Sequence, residues 1–516
     1  MDKNILFFMV DQLSAKWLEL AARRGIVPLP NIKGLAANGT WFTNVITSNP
    51  VCCPARATIA TGLTTRGHGV LENGYRLDPE LPTFMRALQK KGYVTGALGK
   101  VHFEPHFQTF WPDYKKYGFD VTHITEDGRG GEWLDWVRDS HPGHYEDVLA
   151  CIWASYIPEY AAYGPDKTDL GGRIREIQKG YNWSTADYPE GSFGAHSQKY
   201  PQELTQTEWI TRHALDFISG VPEGKPFFAH VSYVQPHFPF TVPAGYLPLV
   251  KEELIPEALP AEWRSDPFAP AYFSRQKMQR NNEYDKSARK CYFADLAHLD
   301  GQLGRLVALL KDRGVYDNTY IIFISDHGEL LGDHEFYGKE ERHYDACIRV
   351  PLIISGPGLG KGGVCSQFVQ HEDVCPTILD MAGAQMEGLK HTPVYLQVPE
   401  EKLRMSYGRS LLGYLKGEKG FAQDDAYCES FSPIWSIDYT DWARTVRTEQ
   451  YRYTYYAGNT GEQLFELSKD PDEQRNLAGD PEYAGVKRDL KDRLLEYLIR
   501  QDWPKTPREL YSLGVH

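Results

Sequence analysis

Five apolar runs punctuate the chain, and four of them close on a polar group. NILFFMV (4–10) is followed by Asp11; VTGALGK (94–100) closes on Lys100; FFAHVSYVQPH (227–237) closes on His237; and YIIFISDHGE (320–329) carries the pair Asp326–His327. VPLIISGPG (350–358) ends in turn residues. Runs without polar interruption predict strands buried on both faces. Helical spacing lies between them, around 30–38, 56–68, 81–91, 204–220, 287–313 and 374–382. Strands alternating with helices predict an α/β fold with a large mixed, mostly parallel sheet sandwiched by helices. Ligands of such sheets sit at the carboxyl ends of the strands. Asp11, Lys100, His237 and Asp326–His327 therefore read as one polar cluster rather than as core.

From about 405 the pattern changes. TVRTEQYRYTYY (445–456) and EQLFELSKD (462–470) alternate as antiparallel strands do, and a helix is predicted from about 484 to 501. The division expected is a large α/β domain over 1–404 and an α+β subdomain over 405–516, with a small antiparallel sheet and a terminal helix. Residues 104–200 show little periodicity but many aromatics, among them Trp133, Trp136, Trp153, Tyr156, Tyr160, Tyr163 and Trp183. A long irregular insertion on such a scaffold builds a pocket wall or an oligomer contact, so a homo-oligomer is a further expectation.

Composition narrows the partners. The 516 residues are 41% hydrophobic and 24% charged, with a formal net charge of −13. That charge argues against nucleic acid, and an anionic substrate needs local positive charge to hold it. The eight cysteines form no CxxC pair and no zinc-like spacing, which fits reduced thiols. The start, MDKNILFFMVDQ, has no secretory pattern, and no apolar run nears the ~20 residues of a membrane span. The expectation is a cytoplasmic protein without a membrane partner, or a periplasmic one if a leader has been removed.

Residues 51–62, VCCPARATIATG, raise the sharpest chemical question. A lone cysteine at a helix start is commonly a small buried hydrophobe. Cys52-x-Pro54-x-Arg56 followed by Thr61-Gly62, however, resembles the signature of the type I, formylglycine-dependent sulfatases of the alkaline phosphatase superfamily. Four further segments are similar in order and spacing to that family: NILFFMVDQ, GYVTGALGKVHF, VQPHFPF and the block from SDHGE to LIISGPG. QLFELSKDPDEQRNLAGDP resembles its C-terminal segment.

The resemblance implies an alkaline-phosphatase-like fold and hydrolysis of a sulfate monoester, of a carbohydrate or an aryl alcohol. It implies that Cys52 is oxidised to formylglycine, with Cys53 in the variable position, and that a formylglycine-generating or anaerobic sulfatase-maturating enzyme is a partner. The hydrated aldehyde offers one hydroxyl to attack sulfur and a second to expel sulfate afterwards. The metal ligands implied are Asp11, Gln12, the modified Cys52, Asp326 and His327. Oxygen ligands suit Ca²⁺ or Mg²⁺, and the imidazole favours Mn²⁺. The anion clamp implied is Arg56, Lys100, His102, His237 and Lys339, with His102 as the base that recovers the aldehyde and His237 or Lys339 acting on the leaving oxygen.

Two features pull apart. Asp-Gln and Asp-His stand where many relatives carry Asp-Asp and Asp-Asn, which resembles the phosphonate monoester hydrolase and phosphodiesterase branch. Lys100-x-His102 resembles true sulfatases. Phosphonate monoester or phosphodiester hydrolysis is therefore the alternative activity. Asn73, in LENGYRL, reads either as turn chemistry or as a site residue; His334, Glu340, Glu341, His343 and His371 receive no role.

Overall fold

In the computed structural model the described residues are 2–105, 109–180, 194–275, 282–339, 342–386, 408–418, 420–431 and 442–501. Their strands are β1 (Asn4–Val10), β2 (Gly39–Ile46), β3 (Val94–Gly99), β4 (Val121–Ile124), β5 (Ala195–Gln198), β6 (Phe227–Tyr233), β7 (Phe240–Pro243), β8 (Thr319–Ser325), β9 (Arg349–Ser355), β10 (Gly363–Cys365) and β11 (Val369–Gln370). Beyond them follow β12 (Asp425–Ser430), β13 (Ala443–Thr448), β14 (Tyr451–Tyr456) and β15 (Gly461–Glu466).

The large sheet runs β10-β2-β9-β8-β1-β6-β3-β4, with β11 also paired to β2, while β5 and β7 form a separate pair. β1 lies parallel to both β6 and β8, and β9 alone in this sheet runs antiparallel, to β8 on one side and β2 on the other. Every residue of β1 is buried. Because side chains alternate across a strand, Leu6, Phe8 and Val10 enter one core with Trp17 and the long helix Asn282–Asp312, while Ile5, Phe7 and Met9 enter the other with the helices Phe84–Lys91 and Val374–Ala382. The sheet is thus covered on both faces, the architecture the apolar runs predict.

Several elements differ in detail. β6 stops at Tyr233, and His237 lies beyond it in a loop between Pro236 and Pro239. The helix expected over 56–68 is two, Cys52–Thr61 and Thr65–His68, because Gly62 turns left-handed and donates its N–H to Thr58. The 445–456 stretch is a hairpin, β13 and β14, not one strand. The helix Ala15–Arg24 and strands β2 and β4 have no counterpart in the sequence pattern described above.

Within 104–200 the described residues hold β4, β5 and the helices Glu132–Ser140, Tyr145–Ala150 and Leu170–Gly180. Trp133, Tyr160 and Tyr163 are buried there, whereas Tyr156 is 59% exposed; Trp183 falls outside the described residues.

At the other end, β12-β13-β14-β15 form an antiparallel sheet, and the helix Ala484–Gln501 packs Leu490 and Leu494 against Tyr427, Val446, Tyr453 and Leu464. The 404/405 division lies in 387–407, outside the described residues. All eight cysteines are free, and no helix among the described residues is long and apolar enough to cross a membrane.

Candidate active site

Three parallel strands deliver their polar termini to one place. Asp11 follows β1, Lys100 follows β3 and Asp326 follows β8, each one residue past the strand end. The backbone bends sharply around them. Gln12 (φ 62°) and His102 (φ 57°) are non-glycine residues in the left-handed region, a conformation that costs energy and collects at functional sites. Gly99 (φ 99°) precedes Lys100, and a Cβ there would collide with the Ser232 carbonyl oxygen. Only glycine fits that close approach.

Cys52 opens the helix Cys52–Thr61, all ten residues of which are buried. Val51 offers no capping side chain, so the helix is capped from outside: Cys53 donates its N–H to Asn73 Oδ1 at 3.0 Å. Asn73 therefore fixes the start of the helix. Arg56 stands one turn after Cys52 and shares its face. Its Nε donates to Asp326 Oδ2 (2.7 Å), its Nη1 to Lys100 O (2.9 Å) and Ser232 Oγ (3.0 Å), and its Nη2 lies 3.5 Å from Asp11 Oδ2. The guanidinium ties four elements together.

Around the fully buried Cys52 thiol stand Lys339 Nζ at 3.0 Å, His327 Nε2 at 3.1 Å and Asp11 Oδ1 at 4.0 Å. The His102 ring hydrogen-bonds the same thiol and that of Cys53. Burial alone raises a thiol's pKa, but Lys100, Lys339 and His327 overcome it and hold Cys52 well below the ordinary thiol range. Lys100 forms an ion pair with Asp11 and lies 3.5 Å from Asp127. Burial works against its charge, yet Asp11, Asp127 and Cys52 keep its pKa well above the usual value. Against burial, Arg56 and His327 hold the Asp326 carboxyl far below its usual range.

The same cluster fits a divalent cation. Ligand atoms of Asp11, Cys52, Asp326 and His327 lie within 4.8 Å of one another, all buried. His327 Nδ1 sits 3.1 Å from the Gly328 carbonyl. A carbonyl only accepts, so Nδ1 carries a hydrogen, and in the neutral ring Nε2 keeps its lone pair. Burial opposes charge on this ring while Asp326 favours it and raises its pKa. The Lys339 ammonium lies 2.8 Å from Nε2; in the neutral ring, the form that a cation requires, that nitrogen accepts from it. A lone pair 3.5 Å from Asp11 Oδ1 and two converging carboxylates form a donor set that a cation balances. Gln12 points its Oε1 at Lys339 (3.0 Å), while its Nε2 donates to Glu329.

Nine of the ten residues singled out from the sequence thus surround one point. The tenth, His237, joins at its margin: Nδ1 lies 2.7 Å from Phe238 O, and Nε2 lies 3.7 Å from Asp127 Oδ2. Asp127 stands between Lys100 and His237, and neither it nor Glu329 is marked as a site residue by the sequence motifs. Glu126, beside Asp127, accepts from the backbone N–H of Val101 (3.2 Å) and His102 (3.0 Å). The three histidines given no role from the sequence are packed into the fold. His371 bonds Thr47 and the Ser325 carbonyl, His343 bonds Thr445 and Ser430, and His334 stacks on Tyr344. Glu340 and Glu341 lie outside the described residues.

Comparison with known families places this arrangement. The sulfatase family profile matches residues 3–384, and that of the N-sulphoglucosamine sulphohydrolase C-terminal region matches 332–500. The chain belongs to the sulfatase family. It is similar to an arylsulfatase of Clostridium perfringens, 27% identical over 97% of this chain and 94% of the relative. It is also similar to the multifunctional alkaline phosphatase superfamily protein PehA of Trinickia caryophylli, 28% identical over 96% of this chain and 95% of that one. Its fold resembles the phosphonate monoester hydrolase of Agrobacterium radiobacter, with a TM-score of 0.74 at 24% identity, covering 97% of this chain and 96% of that one. This sulfatase is a sulfuric ester hydrolase of the alkaline phosphatase superfamily.

Proposed function

We propose that the protein hydrolyses a sulfate monoester of an aryl or carbohydrate alcohol, with position 52 converted to formylglycine and one divalent cation, Ca²⁺ in first place, held by Asp11, Gln12, residue 52, Asp326 and His327. The observation that carries this reading is the seat of Cys52: a buried thiol at a helix start, with Lys339 at 3.0 Å, His327 at 3.1 Å and His102 in hydrogen-bond contact. When present, the formylglycine supplies a nucleophilic hydroxyl, and the cation supplies the charge that acidifies it.

The chain's own residues do the rest. Arg56 locks both metal-side carboxylates in place. Lys100 and Lys339, both buried, set positive charge where the non-bridging sulfate oxygens gather charge. His102 contacts residue 52 directly and is the base that takes its proton when sulfate is expelled. His237, oriented by Phe238 O and Asp127, serves the leaving oxygen. Beside it, Phe238 and Trp153 pack edge to face at 5.1 Å, and Tyr156 continues the wall 6.1 Å from Trp153. Such a wall suits a flat ring or a sugar. Because the whole Cys52–Thr61 helix is buried, a maturating enzyme has to meet this segment before it packs.

The second reading, phosphonate monoester or phosphodiester hydrolysis, draws on Gln12 and His327 in the metal cluster. One experiment separates the two. Mature, Ca²⁺-loaded protein is assayed with one aryl sulfate, its matched aryl phosphodiester and an aryl phosphonate monoester, and the peptide containing position 52 is weighed. Sulfate should have the highest kcat/KM, and the peptide should be lighter by about 18 Da than the thiol form. Preference for the diester or phosphonate transfers the assignment to the second reading. An intact thiol in fully active protein overturns the formylglycine chemistry.

A further inference from the structure

At the open edge of the large sheet, away from the cluster around Cys52, two imidazoles and a carboxylate meet. β4 is the last strand in the sheet order. His123 lies on it, Glu132 in the first turn of the helix Glu132–Ser140, and His213 in the helix Gln206–Gly220. The two rings stack, with centroids 3.9 Å apart and planes inclined by 19°. Both sit edge-on to the buried Trp209, at 6.2 and 4.3 Å; stacked rings cannot both aim in-plane lone pairs at one ion, so His213 has to turn out of the stack to bind. His123 Nδ1 lies 2.6 Å from Glu132 Oε1, and Glu132 Oε2 accepts the Ile124 N–H at 3.1 Å. One ligand atom from each of the three residues falls within 4.8 Å of the others.

We propose that His123, Glu132 and His213 form a second metal site, independent of the catalytic one, which takes a borderline divalent cation of the Zn²⁺ type. Two imidazoles and one carboxylate suit Zn²⁺, Ni²⁺ or Cu²⁺ and not Ca²⁺ or Mg²⁺, which require a shell of oxygens. Three protein ligands, each only half-buried, leave the remaining coordination position to water. The ion takes the place of the proton between His123 Nδ1 and Glu132 Oε1, which departs to solvent. His213 is ready for it: burial, then His123 and Arg212, hold its pKa down at about 4, so the ring is neutral and keeps a lone pair at neutral pH.

The position gives the ion a task. β4 runs directly into Glu126 and Asp127, which hold the Val101–His102 backbone, Lys100 and His237. An ion at His123 pins this edge strand to two helices and so stiffens the segment behind the anion clamp. Its role is structural.

The test uses full-length protein stripped with a chelator and then dialysed against Zn²⁺ alone, with metal counted by elemental analysis. The parent, His213→Ala, His123→Gln and the same set in an Asp326→Ala background are compared, the last to remove catalytic-site binding. His213→Ala and His123→Gln should each bind one Zn²⁺ fewer per chain than their parent, and, in separate samples reloaded with Ca²⁺ alone, as much Ca²⁺ as the parent. Zn²⁺ should raise the parent's melting temperature by roughly 2–4 °C more than it raises that of His213→Ala. Should the Asp326→Ala proteins fail to fold, the direct comparison of parent with His213→Ala decides alone. Equal Zn²⁺ in parent and both histidine variants, or no Zn²⁺ in the parent at about 100 µM, overturns the proposal.

Discussion

Lys339→Met removes one positive charge while keeping the length and burial of the side chain. The ammonium is 3.0 Å from Cys52 Sγ, 3.0 Å from Gln12 Oε1 and 2.8 Å from His327 Nε2, with 5% of the residue exposed. Two unit charges at that separation interact by about 5 kcal/mol at an effective dielectric constant near 20. Roughly half a charge builds up on the transferred group and leaving oxygen between ground and transition states, which leaves about 2.5–3 kcal/mol for this lysine, or roughly 10²-fold. That agrees with the 10²–10³ typical of losing one preorganised group of this kind. The assay is kcat/KM over a series of aryl sulfates of rising leaving-group pKa, with calcium content and melting temperature recorded in parallel. The loss should exceed about 30-fold and grow as the leaving group worsens, with calcium retained. A variant within threefold of the parent across the series, metal and fold intact, refutes the role.

Asp326→Asn should lower bound Ca²⁺ severely, since one of two converging carboxylates loses its charge; stoichiometric calcium in that variant contradicts the ligand set. Asp127→Asn, which leaves Lys100 and His237 without their shared counter-charge, should reduce kcat/KM about tenfold or more with little change in calcium content, measured on the same aryl sulfate. Glu372 gives a stability prediction. Burial first, aided by Asp373 and Glu429 against the Ser48 hydrogen bond, raises its pKa to about 8. The folded state therefore holds this proton after the unfolded chain, near 4.3, has released it, and stability falls as pH rises between those values. Glu372→Gln should abolish that slope, gaining up to about 3 kcal/mol over the parent at pH 7 and little at pH 4.5. Parallel pH profiles in urea unfolding would exclude the effect.

What the sequence displayed depended on how local each signal is. Cys52 and Arg56 are legible because one helical turn joins them, and Asp11, Lys100 and Asp326 because each ends an apolar strand. Asp127 and Glu329 carry no such mark: their importance comes from what the fold sets opposite them, Lys100 and His237 for one, the Gln12 amide and the Gly338 N–H for the other. β2 escaped because its register shifts between Phe42 and Val45, which breaks the alternation a strand should show. The direction of β9 was illegible for a different reason. VPLII is equally apolar read either way, and only pairing with β8 and β2 distinguishes the two.

That reversed strand has a consequence for how the site can change. A crossover between parallel neighbours must travel back along the sheet, spending most of its residues far from the strand ends that hold ligands. Because β9 turns back beside β8, the connection between Ser325 and Arg349 leaves and returns at the catalytic rim: His327, Glu329 and Lys339 all come from this one excursion. Lengthening it disturbs no strand pairing, and doubling a flexible loop costs only about 0.6 kcal/mol in closure entropy. The hairpin is thus a place where new substrate contacts can be written in while the scaffold that aims Asp11, Lys100 and Asp326 stays untouched.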